Sequence, residues 1–184
     1  MLSMHRLLFI REFLRHWREV GSITPSSDHL NTGIAELVSL PHTQLGIELG
    51  AGLGGTTKEL LIRLPPGARL YAFEINPAFS KVLRNFNNTQ LNVICDDVLS
   101  MLSYMKPCSA DYVASGIPLA TLSLPAREKL LHLIFEVLKP GGVYVQFQYS
   151  LMSRNYIEKI FDKVETQFIP LNIPPAFIFI VKKR

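Results

Sequence analysis

Apolar and polar residues alternate regularly from residue 44 onward, in a pattern that indicates strands and helices in turn. Short apolar runs bounded by turn residues predict strands, and amphipathic segments between them predict helices. The predicted strands are Leu45–Leu49, Leu70–Glu74, Leu91–Cys95, Tyr112–Ser115 and Val143–Tyr149. The predicted helices are Thr56–Leu64, Pro77–Phe86, Val98–Met105, Pro125–Leu138 and Arg154–Phe161. This order predicts an α/β fold with a mostly parallel sheet and helices on both of its faces.

The C-terminal tail departs from this alternation. Val164–Pro170 and Ala176–Lys182 both have strand-like patterns, and no helical segment lies between them. Two consecutive strands with a short connection favour an antiparallel hairpin. We therefore predict seven strands, with the hairpin at one edge of the sheet.

Residues 2–20 have the spacing of an amphipathic helix. Leu7, Ile10, Phe13, Leu14 and Trp17 follow one face, while arginines and glutamates occupy the other, and Gly21 ends the segment. A loop and a second helix, capped by Ser26 or Ser27 and reaching about Ser39, come next. We assign residues 1–44 to an N-terminal membrane- and substrate-binding segment and residues 45–184 to the core of a single domain. The alternative is that the first helix simply packs its apolar face on that core.

The net charge of +4 lies at the two ends of the chain. Residues 1–20 contribute +2, from four arginines and two glutamates, and Lys182, Lys183 and Arg184 contribute +3. The other 161 residues carry 12 basic and 13 acidic side chains, which sum to −1. Because a nucleic-acid enzyme usually spreads basic residues over its working face, we expect no nucleic-acid partner.

The composition is apolar for a chain of one domain. Hydrophobic residues make up 48% of the 184 residues and charged residues 18%, which excludes intrinsic disorder. No apolar run approaches the roughly 20 residues of a membrane span, and no leader-peptide pattern is apparent at the start, so a cytoplasmic location is expected. Cys95 and Cys108 are predicted to be reduced, partly buried thiols.

A glycine-rich loop, Glu48-Leu-Gly-Ala-Gly-Leu-Gly54-Gly55, joins the first core strand to the next helix. Such a loop lets the backbone approach a ligand closely beside a helix N-terminus. Gly50, Gly52 and Gly55 match the dinucleotide pattern G-x-G-x-x-G, so a nicotinamide cofactor has to be considered. The carboxylate of Glu48 would repel a pyrophosphate but attract the cationic amino-acid portion of S-adenosylmethionine. The form E-x-G-x-G-x-G is typical of class I S-adenosylmethionine-dependent methyltransferases, and S-adenosylmethionine is therefore favoured.

Resemblance to class I methyltransferases implies a Rossmann-like fold and a set of cofactor contacts. In that pattern Glu74 accepts the ribose hydroxyls, and Asp97 and the Val98 backbone meet the adenine. The product would be S-adenosylhomocysteine. The predicted cofactor-binding residues are Glu48, Gly50, Ala51, Gly52, Gly54, Thr56, Glu74, Ile75, Asp97, Val98 and Ser115. The turn Leu138-Lys-Pro-Gly-Gly142 before the fifth strand also recurs in these enzymes.

The segment after the fourth strand, Ser115-Gly-Ile-Pro-Leu119, is where the methyl acceptor is expected to bind. Methyltransferases that act on planar exocyclic amines have an aromatic residue at its end, which stacks on the ring. Leu119 occupies that position here. An aliphatic amine needs no stacking, which favours it over a nucleobase.

Motifs along the whole chain resemble the bacterial phospholipid N-methyltransferases. Several of the matching segments lie outside the generic cofactor fold. The matches are Phe13–Trp17, Gly21–Ser27, Glu48–Gly54, Ser115–Leu119, Arg127, Gln146–Tyr149 and Asn172–Ala176. This family transfers methyl groups to the amine of phosphatidylethanolamine and its methylated derivatives, giving phosphatidylcholine. Related members methylate ornithine lipids. Asp96 and Ser150 stand where the family commonly has glycine.

From the chemistry of methyl transfer we expect roles for five residues. Ser115 and the Gly116–Ile117 backbone would orient the amine, Tyr149 would accept its proton or contact the methylated ammonium, and Arg127 would bind the lipid phosphate. A core role for Tyr149 and a solvated one for Arg127 remain open. No metal is expected, because the five histidines lack ligand spacing.

We also expect a monomer, associated peripherally with the anionic inner face of the cytoplasmic membrane. The cationic first helix suits that surface. Two other readings remain: methylation of ribosomal RNA or protein amines on the same fold, and a non-catalytic S-adenosylmethionine-binding module. The intact Glu48, Glu74 and Asp97 count against the second.

Overall fold

The structure is a computed structural model that describes residues 28–170 and 175–184. The predicted helix over residues 2–20, the loop that follows it and most of the Asn172–Ala176 motif lie outside the described residues. Their predicted roles stay predictions.

A seven-stranded mixed sheet forms the centre of the described chain. Its strands lie in the order β3-β2-β1-β4-β5-β7-β6, and the first five are parallel to one another. Strand β7 lies between β5 and the edge strand β6 and runs antiparallel to both of them. The strands are β1 (Leu45–Leu49), β2 (Arg69–Phe73), β3 (Leu91–Ile94), β4 (Ala110–Ser115), β5 (Leu138–Gln148), β6 (Glu165–Ile169) and β7 (Ala176–Lys182). The predicted fold class and the C-terminal hairpin are thus confirmed.

Among the residues that the structure describes, five α-helices connect or flank these strands: α1 (Asp28–Leu37), α2 (Gly55–Arg63), α3 (Pro77–Arg84), α4 (Leu124–Val137) and α5 (Arg154–Phe161). The predicted helix Val98–Met105 is instead a 3₁₀ helix over Val98–Ser103. Its i→i+3 bonds, such as Ser100 N–H to the Asp97 carbonyl at 2.9 Å, close tighter turns in this short connection.

The Leu138–Gly142 segment was predicted as a turn before the fifth strand, but β5 already begins at Leu138. Leu138 already pairs with Ala110 in β4, and the register shifts between Ala110 and Tyr112. Gly141, with φ of 79°, donates to the Lys183 carbonyl at 2.7 Å, and Lys183 N–H donates to Gly142 at 2.9 Å. The C-terminal residues therefore bind this backbone, and the glycines form an irregularity inside β5.

Apolar side chains cover both faces of the sheet. On one face α4 and α5 pack through residues such as Leu130, Ile134 and Phe161. On the other face Leu30 and Ile34 of α1 join Leu60 of α2 in a second buried cluster. The first described helix is therefore part of the core. No helix within residues 28–170 and 175–184 is long and apolar enough to cross a membrane.

The cysteines differ from their prediction. Cys95 and Cys108 are both free, as predicted, but both are exposed, so the expected partial burial was wrong. Cys95 follows directly after the short strand β3, and Cys108 lies in a tight turn with φ of 52°.

Of the three basic residues at the C-terminus, Lys183 is buried. Its Nζ donates to the carbonyls of Phe135 at 2.6 Å and Leu138 at 2.8 Å, at the end of α4. It also lies 4.4 Å from the Phe135 ring centroid. A cation there stabilises the last carbonyls of the helix. Lys182 and Arg184 are the exposed members.

We predict that Lys183→Gln lowers the free energy of unfolding by about 1–3 kcal/mol, because buried carbonyls lose a charged donor. Lys182→Gln is the matched control, and its effect is expected to stay within about 0.5 kcal/mol. Urea unfolding followed by circular dichroism measures both. Equal effects for the two variants would contradict the capping role.

Candidate active site

The glycine loop lies at the carboxyl end of β1, where the strand order reverses between β1 and β4. Gly50 and Gly52 have positive φ of 75° and 57°, a conformation that other residues rarely adopt. A Cβ added at Gly52 would meet no atom within 4 Å. At Gly50 a Cβ would lie 3.2 Å from Ile117 Cγ1. The loop is thus open on one side and closely packed against the segment after β4 on the other, as ligand sites at such switch points are.

Glu74 holds the glycine loop from the end of β2. Its Oε2 accepts a hydrogen bond from Gly52 N–H at 2.8 Å, and its Oε1 accepts one from Asn76 N–H at 2.8 Å. The side chain is buried, and desolvation raises its pKa although these backbone donors act against that shift. The Ile75 N–H is a third backbone donor that lowers the pKa of this carboxyl. Since a carboxylate has about four lone-pair positions, one acceptor position remains for a ligand hydroxyl.

Glu48 lies beneath the loop, on β1, and is buried. Its Oε2 accepts a hydrogen bond from the Thr57 hydroxyl at 2.7 Å, and desolvation raises its pKa to about 7. The nearby Glu74 carboxylate makes a smaller contribution to this rise, and the Thr57 hydrogen bond acts against it. Since Glu48 is buried among few donors, a cationic ligand would stabilise its ionised form.

Two further loop residues have fixed places. Ala51 is buried, and its N–H donates to the Phe73 carbonyl at 3.2 Å. Thr56 donates to Asn31 Oδ1 at 2.9 Å. Asn31 belongs to α1 and is buried, so the N-terminal part of the chain contacts the cofactor loop directly. Sequence reasoning missed Asn31, because only the packing of α1 brings it to this loop.

The third strand ends at two aspartates. Asp97 Oδ1 accepts from Leu99 N–H at 2.9 Å and caps the 3₁₀ helix that begins at Val98. Asp96 is half-buried rather than simply solvated, and its Oδ2 accepts from the hydroxyls of Ser100 and Tyr104, both at 2.9 Å. The other predicted residue here, Ile75, follows Glu74 and is half-buried.

The segment after β4 is held by two buried glutamines on β5. Gln146 and Gln148 both donate to the Ile117 carbonyl, at 3.0 and 2.8 Å, and Gln146 also donates to the Ser115 carbonyl at 3.1 Å. Ser115 Oγ accepts from Ile117 N–H at 3.3 Å. Both lone pairs of the Ile117 carbonyl are therefore in use, so the shape of this segment is fixed by the protein.

The two glutamines were not predicted as site residues. A signal for them exists, because two amides two residues apart in an otherwise apolar strand face the same side. Tyr144, fully buried on the same face, donates to Gln146 Oε1 at 2.6 Å. Burial raises the pKa of Tyr144, so this hydroxyl stays protonated and orients the amide.

Of the predicted site residues, the structure brings the glycine loop, Glu74 and residues 115–117 together. Gly116 N–H donates to the Leu49 carbonyl at 3.0 Å, next to Gly50. Tyr149 packs edge-on against Phe147, with ring centroids 5.2 Å apart. Because side chains alternate along a strand, Tyr149 lies on the face of β5 opposite Gln146 and Gln148.

Arg127 is not the solvated residue that one reading of the sequence allowed. Its Nε donates to the Leu119 carbonyl at 2.8 Å, and its Nη2 donates to the Leu122 carbonyl at 3.0 Å. The guanidinium also lies over the Tyr156 ring, 4.3 Å from its centroid. Arg127 thus stabilises the turn that continues the segment after β4.

The arrangement fits the predicted cofactor. The open space over Gly52 adjoins Glu74, which binds the Gly52 N–H, and a second buried carboxylate, Glu48, comes two residues before Gly50. A ligand with a cationic amino-acid portion and ribose hydroxyls would neutralise one and satisfy the other, whereas the same pair would repel a pyrophosphate.

Comparison with known proteins agrees with this geometry. A family model described as a methyltransferase domain matches residues 47–142, from β1 to the middle of β5. The chain belongs to this methyltransferase family. The matched residues include the glycine loop, Glu74, Asp97 and the segment after β4. Membership confirms the Rossmann-like methyltransferase fold and S-adenosylmethionine as the cofactor.

Individual relatives cover most of this methyltransferase. An ornithine lipid N-methyltransferase of Singulisphaera acidiphila is 29% identical over 175 residues, which cover 92% of this chain and 91% of the relative. O-methyltransferase 3 of Dictyostelium discoideum is 28% identical over 131 residues, 66% of this chain but only 30% of that protein. Among solved structures, the N-methyltransferase NodS of Bradyrhizobium japonicum, in complex with S-adenosylhomocysteine, superimposes with a TM-score of 0.73. It is 14% identical and covers 94% of this chain and 98% of its own, a likeness of fold.

Proposed function

We propose that this methyltransferase transfers methyl groups from S-adenosylmethionine to the amine of an amino-lipid headgroup. The observation that carries the proposal is the relative from Singulisphaera acidiphila, an ornithine lipid N-methyltransferase that matches nearly end to end. Motifs beyond the predicted cofactor-binding residues, such as Gln146–Tyr149, give the same indication through the phospholipid N-methyltransferases that they resemble.

The segment after β4 supports an aliphatic amine as the acceptor. Leu119, at the position where a stacking aromatic would stand, is fully buried and turned into the core. Within the described residues 115–119 there is no aromatic ring for a nucleobase. A small amine needs only a fixed polar surface and correct alignment with the methyl donor.

The cofactor supplies an electrophilic methyl group on its sulfonium. We assign the ribose hydroxyls to Glu74, the amino-acid portion to the loop Gly50–Gly54 above Glu48, and the adenine to Asp97 and the Val98 backbone. Ser115 retains its hydroxyl proton while its oxygen accepts from Ile117 N–H. Together with the Gly116–Ile117 backbone, it would orient the lone pair of the amine.

Transfer forms a bond from nitrogen to the methyl carbon and breaks the bond from that carbon to sulfur. The amine must lose a proton before its lone pair is available. Tyr149 is the proposed acceptor or relay of that proton, or alternatively a cation–π partner of the methylated product. Its ring is half-buried at the carboxyl end of β5.

Phosphatidylethanolamine and ornithine lipid are both candidate substrates. The first is favoured by the motif resemblance and would give phosphatidylcholine after three transfers. The second is favoured by the relative of matching length. Both place a primary amine near an anionic group, and the two candidates are comparably supported.

We further propose that the protein meets its lipid at the inner face of the cytoplasmic membrane. The support is the cationic amphipathic pattern of residues 2–20 together with the exposed Lys182 and Arg184. Lys183 is not counted here because its ammonium binds the end of α4.

The decisive experiment supplies labelled S-adenosylmethionine with vesicles that contain phosphatidylethanolamine, ornithine lipid, or neither. Ribosomal RNA is added in a parallel reaction. We expect label in at least one of the two lipids and none in RNA. Label in RNA alone would overturn the proposed function. The ratio of initial rates on the two lipids decides between the candidate substrates.

A further inference from the structure

A surface pocket lies beside the segment after β4 and has no part in the cofactor site described above. Its volume is about 330 Å³. It is lined by Ala120, Arg127, Met152, Ser153, Asn155 and Tyr156. Four of these six residues can donate hydrogen bonds through their side chains.

Arg127 supplies a buried positive charge to this pocket without a balancing negative one. The residue is 9% exposed, and its side chain donates to three neutral carbonyls, those of Leu119, Ala120 and Leu122. No carboxylate within residues 28–170 and 175–184 forms an ion pair with it. These bonds use Nε and Nη2, which leaves the Nη1 donors for another acceptor. A buried guanidinium without a counter-charge favours an anion beside it.

The N-terminus of α5 faces the same pocket. Ser153 is its N-cap residue, and no side chain caps the first turn. A 3₁₀ helix over Leu151–Ser153 runs directly into α5, and the Arg154 N–H donates to the Leu151 carbonyl. This helix end therefore attracts an anion chiefly through the helix dipole. Tyr156 covers one face of the guanidinium, so an anion would approach in the guanidinium plane, where its N–H groups point.

The pocket lies close enough to Ser115–Ile117 to bind a substrate group that neighbours the reacting amine. Ala120 comes three residues after Ile117, so the two lie at most about 10 Å apart along the chain. At its rim Met152 is 74% exposed, and the adjacent Leu151 is 49% exposed. An amphiphile could therefore leave its acyl chains over this apolar rim while its headgroup enters.

We propose that this pocket binds the anionic group of the amino-lipid substrate and so places its amine at Ser115–Ile117. This inference rests on the proposed function and deepens it. The shared chemistry is an oxyanion near a primary amine. A phosphate diester of phosphatidylethanolamine and a carboxylate of ornithine lipid both meet that requirement, so one pocket would serve both headgroups.

The test is Asn155→Asp, which places a negative charge at the pocket. The variant should fold, because Asn155 is exposed and aspartate near a helix N-terminus is favourable. Gln167→Glu, on the exposed edge strand β6, is the matched control with the same change in charge. Arg127→Lys is a second variant, which retains the charge but not the planar fork.

The substrates are phosphatidylethanolamine, ornithine lipid and oleylamine, a long-chain amine without an anion, each in zwitterionic vesicles. We expect Asn155→Asp to raise KM at least 10-fold for the first two and less than twofold for oleylamine. Gln167→Glu should leave all three KM values within twofold. Arg127→Lys should raise KM for the anionic lipids more than for oleylamine. If KM changed equally for all three substrates, or did not change for the two anionic lipids, the proposed role of the pocket would be overturned.

Binding without turnover separates this inference from the proposed function. The Kd of short-chain, soluble phosphatidylethanolamine is measured for the wild type and for Asn155→Asp, with inorganic phosphate as a second ligand. Weaker lipid binding by the variant with no methylation would support the pocket but overturn the function. Methylation of the lipid by the wild type, with the same Kd for the lipid in the wild type and in Asn155→Asp, would support the proposed function but overturn the role of the pocket. Inorganic phosphate bound as tightly as the lipid would assign the pocket to free phosphate and overturn the inference.

Discussion

Replacing Glu74 by alanine is expected to weaken S-adenosylmethionine binding by at least about 100-fold, or ~2.8 kcal/mol. Two effects add. The N–H groups of Gly52 and Asn76 lose their common charged acceptor, and each such bond contributes about 1.5–3 kcal/mol. The ribose hydroxyls then also lose the acceptor that we assign to them. Isothermal titration calorimetry with S-adenosylmethionine measures the effect.

The control for Glu74 is Glu128→Ala, the same change at an exposed position on α4. It should leave the Kd within twofold. Glu74→Gln keeps the volume of the side chain and one carbonyl oxygen, and we expect it to fall between the alanine variant and the wild type. A Kd for Glu74→Ala within threefold of the wild type would mean that Glu74 only shapes the loop or that the cofactor lies elsewhere.

The second large effect is a pH dependence that originates at Glu48. Burial raises its pKa from 4.5 to about 7 in the folded protein, whereas the unfolded chain returns it to its ordinary value. Since the folded pKa is the higher one, its stabilising contribution is full below about pH 4.5 and is lost as the pH rises through about 7. A shift of this size corresponds to a loss on the order of 3 kcal/mol.

Glu48→Gln keeps an acceptor for the Thr57 hydroxyl but removes the titration. Between pH 5 and pH 8 we expect the free energy of unfolding to fall by ~2–3 kcal/mol less in this variant than in the wild type. Urea unfolding of the ligand-free protein measures it, with the exposed Glu36→Gln as control. Parallel pH profiles for the wild type and Glu48→Gln would contradict the buried titration.

The same group links cofactor binding to pH. A cationic ligand favours ionised Glu48, so the wild type should bind S-adenosylmethionine more tightly at pH 8 than at pH 6 and release protons on binding. The Kd of Glu48→Gln should vary less over this interval. Calorimetry in buffers of different ionisation enthalpy detects the protons.

Local patterns in the sequence were enough for much of the fold. Strand β1, helix α5 and strand β7 begin and end where the periodicity predicted, because their apolar runs are bounded by clear turn residues. The Val98–Met105 segment was wrong in type, since a short amphipathic stretch does not distinguish α from 3₁₀ bonding. The Leu138–Gly142 irregularity could not be predicted, because it depends on bonds to Lys183.

The sequence by itself determined the order of strands and helices, the glycine loop and the cofactor. These depend on residues close together in the chain, where spacing constrains backbone shape. Only the tertiary structure decided which distant side chains meet. Gln146 and Gln148 both donate to the Ile117 carbonyl. Lys183 donates to a carbonyl at the end of α4, and Arg127 lies beside the N-terminus of α5. Such contacts follow from strand register and from the packing of helices on a sheet, neither of which is visible in the composition. The number of charged residues in the sequence therefore did not reveal which charged side chains remain exposed to bind a lipid.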